Sequence, residues 1–426
     1  LTSITLPEGL TSIGNSAFGY CSALTSITLP ESLTSIGDYA FEYCYSLTSI
    51  TLPESLTSIG NNAFDYCYKL YEVYNKSDLT ITAGSTDNGY VACYAKNVYT
   101  DSEGESKLKT VGDYIFYVDG EDIELIAYTG SETSITLPSD YEGKNYNIGY
   151  WAFYNCDALT SITLPKSLTS IGDGAFSSCS ALTSITIPEG VTSIGDYAFY
   201  YCYSLTSITL PESLTSIGDG AFEDCSSLTS ITLSESLTSI GNNAFDYCYK
   251  LYEVYNKSDL TITAGSTDNG YVACYAKNVY TDSEGESKLK TVGDYIFYVD
   301  GEDIELIAYT GSETSITLPS DYEGKNYNIG DYAFYGCDSL TSITLPEGVT
   351  EIGDYAFRSC TALTSITLPE SLTSIGNYAF YDCSALTSIT SKNATPPTIG
   401  GSYTFENVNK SIPVYVPKSS VDAYKS

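Results

Sequence analysis

Residues 24–46 read LTSITLPESLTSIGDYAFEYCYS, and residues 47–69 read LTSITLPESLTSIGNNAFDYCYK. This 23-residue pattern recurs in three runs, which start at Leu1, Leu24 and Leu47, at Leu159, Leu182, Leu205 and Leu228, and at Leu340, Leu363 and Leu386. A fixed period of this length is typical of a solenoid, in which each repeat forms one turn of a coil and packs on its neighbours. The sequence therefore predicts one elongated core and not several separate globules.

The first half of each repeat predicts a short β-strand. Ile27 and Leu29 alternate with Thr28, as the side chains of a half-buried strand do, and Leu24 precedes them on the same face. Pro30 ends the strand because it cannot donate a ladder hydrogen bond. We expect the three apolar side chains to point into the core.

The second half of the repeat predicts a second short strand and a turn. Leu33 and Ile36 form the apolar segment, and Gly37 is expected to take a left-handed turn conformation. Ala40 and Phe41 should point inward from a short helical or irregular turn, with the phenylalanines of successive repeats stacked as a spine. The fold class is thus a mostly β leucine-rich-repeat solenoid with 23-residue repeats.

Between the regular runs lies an irregular module that occurs twice. Residues 54–149 recur without change at 235–330. Residues 108–116 match half of a repeat, and the Asp-Gly sequence inside residues 117–125 predicts a β-hairpin that protrudes from one repeat. A longer loop is expected at residues 139–147. Because the module is doubled, any binding site on it occurs twice, which permits avidity for a repeated ligand.

These observations divide the chain into six segments of one continuous solenoid. Regular repeats occupy 1–69, 159–250 and 340–390, degenerate repeats with the hairpin insertion occupy 70–158 and 251–339, and a truncated C-terminal cap occupies 391–426. The chain contains no Met, so we expect it to be part of a longer polypeptide. It has no stretch of about 18 apolar residues, and no membrane insertion is expected.

Charge and composition argue against several classes of function. The formal net charge of -35 repels nucleic acid and anionic lipid. It is explained by the need to keep a long, Tyr-rich surface soluble, and the alternatives are a basic partner or an interaction mediated by divalent cations. Histidine is absent, which removes Ser-His-Asp and Cys-His catalysis and histidine zinc sites. A carboxylate pair of the glycosidase kind remains open, but Glu31, Asp38 and Glu42 have similar equivalents in other repeats. We predict that the protein is not an enzyme and has no cofactor.

The 13 cysteines do not follow a metal-binding pattern. No Cys-x-x-Cys pair occurs, and eleven cysteines occupy one repeat position, as Cys21, Cys44 and Cys67 do. Equivalent side chains in stacked repeats point the same way, which disfavours disulfides between them. We expect a ladder of buried, reduced thiols. Acidic turns at 87–89, 101–104 and 119–122 lack the full spacing of a calcium loop, so turn formation explains them.

The repeat resembles a known family. The pattern Leu-x-x-Ile-x-Leu-Pro-x-x-Leu-x-x-Ile-Gly-x-x-Ala-Phe-x-x-Cys, which begins at Leu24, and the sequence Val-Pro-x-x-Ser-Val-x-x-Tyr at 416–424 are similar to BspA-like leucine-rich repeats of the Treponema pallidum type. The resemblance implies a right-handed superhelix on secreted or surface-anchored proteins of host-associated bacteria, used for adhesion to host matrix proteins, other cells or glycans.

The exposed face of the first strands is the predicted ligand-binding surface. Its hydroxyl side chains, together with the tyrosines near the turns, would form a polar platform, although rows of Ser and Thr also occur simply because they suit exposed strands. The candidates are Thr25, Ser26, Thr28, Thr48, Ser49, Thr51, Thr183, Ser184, Thr186, Thr206, Ser207 and Thr209. Specificity is expected to come from the doubled module.

The sequence leaves three functions open. The first is an extracellular adhesion or ligand-binding module of a monomeric protein, with a host matrix protein, mucin or glycan as its partner. The second is a structural stalk that displays another domain. The third is an accessory region attached to an enzymatic domain elsewhere in the polypeptide.

Overall fold

The structure is a computed structural model that describes residues 2–100, 105–281 and 286–425. The chain forms two compact units, one made of residues 1–248 and 254–281 and the other of residues 249–253 and 282–426. Each unit is a β-solenoid of short strands and irregular turns, which confirms the predicted fold class. No helix in the described ranges has the length and apolar character needed to cross a membrane. The predicted segment boundaries, and their union in one continuous solenoid, stay predictions.

The first part of unit 1 contains two strands in each regular repeat. These strands are β1 (Ser3–Thr5), β2 (Ser12–Ile13), β3 (Ser26–Thr28), β4 (Ser35–Ile36), β5 (Ser49–Leu52), β6 (Ser58–Ile59), β7 (Glu72–Asn75) and β8 (Asn97–Tyr99). They pair in parallel as β1-β3, β2-β4-β6 and β5-β7-β8. The register joins equivalent residues 23 positions apart, for example Ile13 with Ile36. First and second strands therefore belong to separate sheets.

The rest of unit 1 begins with an antiparallel segment and then returns to parallel repeats. Its strands are β9 (Leu108–Val111), β10 (Tyr114–Asp119), β11 (Asp122–Tyr128), β12 (Ser134–Thr136), β13 (Asn147–Ile148), β14 (Ser161–Thr163), β15 (Ser170–Ile171), β16 (Ser184–Thr186), β17 (Ser193–Ile194), β18 (Ser207–Thr209), β19 (Ser216–Ile217), β20 (Ser230–Leu233), β21 (Ser239–Ile240), β22 (Glu253–Asn256) and β23 (Asn278–Tyr280). The sheets are β12-β14-β16-β18, β20-β22-β23 and the eight-stranded β21-β19-β17-β15-β13-β11-β10-β9.

Unit 2 begins with an antiparallel segment and continues with parallel repeats, in the same order as the second part of unit 1. Its elements are β24 (Leu289–Val292), β25 (Tyr295–Asp300), β26 (Asp303–Tyr309), β27 (Ser315–Thr317), β28 (Asn328–Ile329), β29 (Ser342–Thr344), β30 (Glu351–Ile352), β31 (Ser365–Leu368), β32 (Ser374–Ile375), β33 (Ser388–Ser391), β34 (Thr398–Ile399), β35 (Val414–Tyr415) and a 3-10 helix at Lys418–Ser420. They form the sheets β24-β25-β26-β28-β30-β32-β34 and β27-β29-β31-β33-β35.

The core is a stack of equivalent apolar side chains, as predicted. Leu24 and Phe41 are fully buried, and Ile27 and Leu29 are buried beside them. The phenylalanine rings stack with centroids 4.9 to 5.2 Å apart in three runs, at Phe18–Phe64, Phe153–Phe245 and Phe334–Phe405. Each such burial stabilises the fold by about 1.5–3 kcal/mol relative to exposure. The predicted spine is confirmed, with an interruption at each irregular module.

The cysteine ladder is also confirmed, and it does more than fill space. All 13 thiols are free, and eight of them are buried. The thiol of Cys44 donates to the carbonyl oxygen of Phe18 at 3.3 Å, and Cys225 donates in the same way to Phe199. Each of the eight buried thiols therefore joins its own repeat to the preceding one through a weak hydrogen bond.

The predicted left-handed conformation of Gly37 is wrong. Positive φ angles in this repeat occur at Tyr39 and Tyr43, with values of 56° and 60°, and Gly37 is not among the residues with positive φ. Gly37 instead lies against the preceding repeat, where an added Cβ would meet the backbone nitrogen of Asn15 at 2.7 Å. Glycine is required here because the two backbones approach too closely for a side chain.

The irregular module contains the predicted hairpin, but its surroundings differ from the prediction. β10 and β11 pair antiparallel, with Asp119 opposite Asp122. Residues 108–116 are not half of a repeat, because β9 pairs antiparallel with β10 through Val111 and Tyr114. The hairpin does not protrude either, since β11 pairs in parallel with β13 and Leu125 is fully buried. The longer loop expected at 139–147 is present and is closed by a bridge between Tyr141 and Lys144.

Candidate functional site

The predicted binding face lies where the repeat places it. Of the 12 candidate residues, nine are exposed, and the half-buried ones are Thr48, Ser49 and Thr206. β16 and β18 pair in register, so Ser184 lies beside Ser207 and Thr186 beside Thr209. The candidates on β3 and β5 belong to two other sheets. The structure therefore brings together the candidates at 183–186 and 206–209 as one surface.

The hydroxyl groups of this face are not equivalent. The threonines that precede β16 and β18 donate to the preceding repeat: Thr206 donates to the carbonyl oxygen of Thr183 at 3.1 Å, and Thr183 donates to that of Thr160 at 3.3 Å. Among the described residues, the hydroxyls of Ser184 and Ser207 form no intramolecular hydrogen bond. The serine column is thus the part of the face whose hydrogen-bonding capacity is directed to solvent.

The irregular module changes the chemistry of the strand face. In the sheet β5-β7-β8, Thr51 is in register with Tyr74 and Tyr99, whose rings stack at 4.9 Å. Ser49 is in register with Glu72, which is fully buried and accepts hydrogen bonds from Tyr74 and from the backbone of Lys107. Polar hydroxyls are replaced here by aromatic rings over a buried carboxylate.

The tyrosines near the turns form ladders. Tyr43 stacks on Tyr20 at 4.6 Å, and in unit 2 Tyr355 stacks on Tyr332 and on Tyr378, both at 4.8 Å. In such ladders the faces of neighbouring rings cover one another. The tyrosines therefore stabilise the stack of turns as well as supplying contact surface.

Two of the three acidic side chains that left a glycosidase function open, Glu31 and Asp38, have structural partners. Asp38 accepts a hydrogen bond from the backbone nitrogen of Asn61 at 2.7 Å, and Asp196 accepts one from Asp219 at 2.8 Å. Glu31 is paired with Lys76. Within residues 2–100, 105–281 and 286–425 no group of three or more acidic or cysteine side chains is arranged to hold a metal ion. The acidic turn predicted at 101–104 lies outside the described residues.

A cleft of about 460 Å³ opens in unit 1 beside the hairpin. It lies between the repeats of residues 2–69 and the segment 115–159, and Ile115 of β10 and Ala127 of β11 contribute to its lining. Its polar lining includes Thr25, Tyr45, Lys69, Glu132, Tyr154 and Asp157. We call this feature the junction cleft.

Lys69 is the central residue of the junction cleft. It is only 5% exposed, and its ammonium donates to the carbonyl oxygen of Ala152 at 3.2 Å. Burial lowers the pKa of Lys69, while the thiols of Cys156 and Cys179 act in the opposite direction. The ammonium form is destabilised because water has been removed from around it.

Aromatic side chains hold the two sides of the cleft together. Tyr68 stacks on Trp151 with ring centroids 4.0 Å apart, and Tyr45 meets Tyr154 edge-on at 4.7 Å. Trp151 needs a residue without a side chain beside it, since a Cβ on Gly174 would lie 2.4 Å from the indole ring. Such contacts give the cleft rigid walls.

The sequence prediction missed Lys69 and Trp151, although a signal for the lysine was present. The residue before the first-strand leucine is Ala or Ser in the other regular repeats, as Ala23 and Ser46 show, and it is Lys only at Lys69 and Lys250. A charged side chain at a position that is otherwise Ala or Ser indicates that the surroundings of this position differ from those in the other regular repeats. The partner segment, 83 residues further along the chain, gave no comparable signal.

Comparison with known proteins identifies the family. The profile described as "BspA type Leucine rich repeat region (6 copies)" matches residues 1–119, 146–269 and 302–424. The chain belongs to this family. No curated protein sequence matches the BspA-type chain closely enough to count as a relative.

Solved structures of leucine-rich-repeat proteins are similar to this BspA-type chain. One from Bacteroides ovatus is 23% identical, covers 98% of this chain and 84% of its own, and has a TM-score of 0.30. A leucine-rich cell surface protein from Faecalibacterium prausnitzii is 24% identical over 76% of this chain and 98% of its own, with a TM-score of 0.34. The leucine-rich-repeat protein of T. pallidum is 24% identical over 60% of this chain and 90% of its own, with a TM-score of 0.33.

Proposed function

We propose that the chain is a non-enzymatic, extracellular adhesion module that binds a host matrix protein, mucin or other glycan along its strand face. The observation that carries the proposal is the serine column of Ser184 and Ser207 on β16 and β18, since the equivalent Ser134 and Ser161 on β12 and β14 are hydrogen-bonded to each other. Ser184 and Ser207 are exposed, uncharged and in register on adjacent strands. Parallel strands are spaced by about 4.8 Å, so these two serines offer the same hydrogen-bonding group one strand apart.

A repeated surface of this kind suits an extended ligand. A polymer can form the same weak contact at each repeat, and the sum of such contacts gives avidity. Unit 2 carries a corresponding sheet, in which Ser342 and Ser365 are in register on β29 and β31; the hydroxyl of Ser342 is hydrogen-bonded to that of Ser315, and Ser365 is exposed. The aromatic rings that replace threonine at Tyr74 and Tyr99 supply rigid contact area beside the module. Secretion or surface attachment and a monomeric state are part of the same proposal.

The test compares two sheets of the same repeats. The Ser184→Gln and Ser207→Gln variant enlarges two side chains on the first-strand face. The control Ser193→Gln and Ser216→Gln makes the same changes on β17 and β19, which also pair in register. Binding of each chain to immobilised mucin, matrix protein and polysaccharide is measured by biolayer interferometry.

We expect the unmodified chain and the control to bind one of these surfaces, and the first-strand variant to bind at least about tenfold more weakly, since lost hydrogen bonds and steric exclusion each cost about 1 kcal/mol or more. Equal binding by the two variants would contradict the role of the serine column. Absence of binding by the unmodified chain would favour the structural stalk or the accessory region.

A further inference from the structure

The junction cleft contains a buried cation whose hydrogen-bonding capacity is largely unused. An ammonium group has three N–H donors, and Lys69 directs one of them to Ala152. No carboxylate of the described residues lies within ion-pair distance of Lys69. A buried charge without a counter-charge is unfavourable, so such a site gains strongly from an anion that enters it.

The charged groups of the cleft differ in their exposure to solvent. Lys69 is almost completely buried, whereas Glu132 and Asp157 are exposed. Water and salt screen the two exposed carboxylates, but they screen the buried ammonium much less. A single negative charge therefore gains more from Lys69 at close range than it loses to the two acidic residues at the surface.

The other lining groups suit a hydroxylated ligand. Ser46 and Tyr154 supply hydroxyl groups, Thr25 supplies a hydroxyl oxygen whose proton is donated to the carbonyl oxygen of Thr2, and the ring of Tyr45 supplies a flat apolar surface. The volume of about 460 Å³ lies in the range of small-molecule sites. A ring with hydroxyl groups on its edge and apolar faces would use both kinds of surface.

We propose that the junction cleft binds a small sugar acid, with its carboxylate against the ammonium of Lys69 and its hydroxylated ring among Thr25, Tyr45 and Tyr154. The site shares Thr25 with the predicted strand face, but its lining includes neither Ser184 nor Ser207, and it takes a single soluble molecule. Its test is therefore independent of the adhesion experiment.

The experiment measures binding of D-glucuronate, N-acetylneuraminate, acetate and D-glucose to the full chain by ligand-observed NMR and calorimetry. Lys69→Met removes the charge and keeps an unbranched side chain. Lys166→Met is the matched control, because Lys166 is an exposed lysine outside the cleft lining. Ala158→Trp narrows the cleft from an exposed position and leaves Lys69 in place, so it gives an answer even where Lys69→Met fails to fold.

We expect glucuronate to bind with a Kd of about 1 mM, the affinity typical of a ligand with little more than a dozen heavy atoms, and the larger N-acetylneuraminate to bind at least as tightly. Lys69→Met should weaken this binding about 10- to 100-fold, the usual effect of losing a hydrogen bond to a charged group. Ala158→Trp should also weaken it, and Lys166→Met should not. Glucose and acetate should bind more weakly than either sugar acid.

Three results would overturn the proposal. The first is that neither sugar acid binds at concentrations of about 10 mM, tenfold above the expected Kd. The second is that folded Lys69→Met binds them as well as the unmodified chain does. The third is that acetate or glucose binds as tightly as glucuronate, which would mean that the carboxylate and the ring are not recognised together.

Discussion

Replacement of Gly37 by alanine tests whether close stacking of the repeats, and not turn conformation, explains the glycine. A Cβ at Gly37 would lie 2.5 Å from the side-chain oxygen of Asn15, 2.7 Å from its backbone nitrogen and 2.8 Å from the carbonyl carbon of Gly14. Two of these atoms are backbone and cannot rotate away. The repeats must therefore separate by several tenths of an ångström.

The expected cost follows from what the separation disturbs. Overpacking costs about 1–3 kcal/mol. The shift also strains the hydrogen bond from the nitrogen of Gly37 to the carbonyl oxygen of Ile13, which is 2.9 Å long. Alanine restricts the unfolded chain and recovers about 0.4–1 kcal/mol. We expect a net destabilisation of about 2 kcal/mol at this position.

Gly14 provides the matched control. It occupies the same position in the preceding repeat and is also absent from the residues with positive φ, but no atom lies within 4 Å of its Cβ site. Gly14→Ala should therefore be neutral or stabilise by about 0.5 kcal/mol. If the glycines were needed for a left-handed turn, both substitutions would be equally harmful.

Native-state amide hydrogen exchange is the appropriate measurement, because repeats of a solenoid open locally and a global melting temperature averages over them. The amides of Thr34 and Gly37 bond to the preceding repeat. Gly37→Ala should lower their protection about 30-fold, which corresponds to about 2 kcal/mol. The reasoning is refuted if protection is unchanged in Gly37→Ala, or if Gly14→Ala lowers it to the same extent.

Three further predictions concern a carboxylate, a thiol and the junction. Burial, and then the charge of Asp246, raise the pKa of Asp224 to about 6. The ionised carboxylate of Asp224 therefore destabilises the folded chain at neutral pH, and this destabilisation disappears as the pH falls toward 4. Asp224→Asn should stabilise unit 1 by about 1 kcal/mol at pH 7, after allowance for screening of this half-exposed group, and this gain should be smaller at pH 4 in chemical denaturation; a gain that does not change with pH would contradict the electrostatic cause. Burial raises the pKa of Cys225 well above its ordinary value, so this thiol should resist alkylation at pH 8 in the folded chain while half-buried Cys21 reacts. Peptide mass spectrometry measures the labelling of each thiol, and equal labelling of the two would contradict the burial of the cysteine ladder. Cys225→Ala should destabilise the fold by about 1 kcal/mol. Trp151 is the single tryptophan, so its fluorescence reports on the contact between Tyr68 and Trp151 beside the junction cleft. Tyr68→Ala should lower the denaturant midpoint measured by fluorescence and leave the midpoint measured by circular dichroism nearly unchanged. An equal shift of both midpoints would mean that this contact does not open separately from the rest of the fold.

The regular repeats could be predicted residue by residue because their contacts are local copies of one another. Ile27 is buried and Ser26 is exposed for the same reason in each repeat, namely the alternation of side chains along a strand. The phenylalanine spine and the cysteine ladder followed from the same periodicity. The exposure of the strand-face candidates could therefore be predicted from the sequence.

Two features of the repeat were not predictable from periodicity. A glycine that allows a positive φ and a glycine that allows close backbone approach look alike in a sequence, and the distances around Gly37 distinguish them. The residues that do take positive φ include Tyr39 and Tyr43, and at Tyr43 ring stacking on Tyr20 of the preceding repeat offsets the conformational cost. Both effects depend on the neighbouring repeat and not on the local sequence.

Chain periodicity settled the solenoid, its strands and the direction of its side chains, since these depend on residues one period apart. The course of the chain through the irregular module was decided by tertiary contacts: residues 108–116 became an antiparallel pair, and Lys69 reached Ala152 across 83 positions. No repeating sequence pattern predicts a contact between residues that far apart in the chain. The junction cleft, which depends on such contacts, therefore appears only in the folded chain.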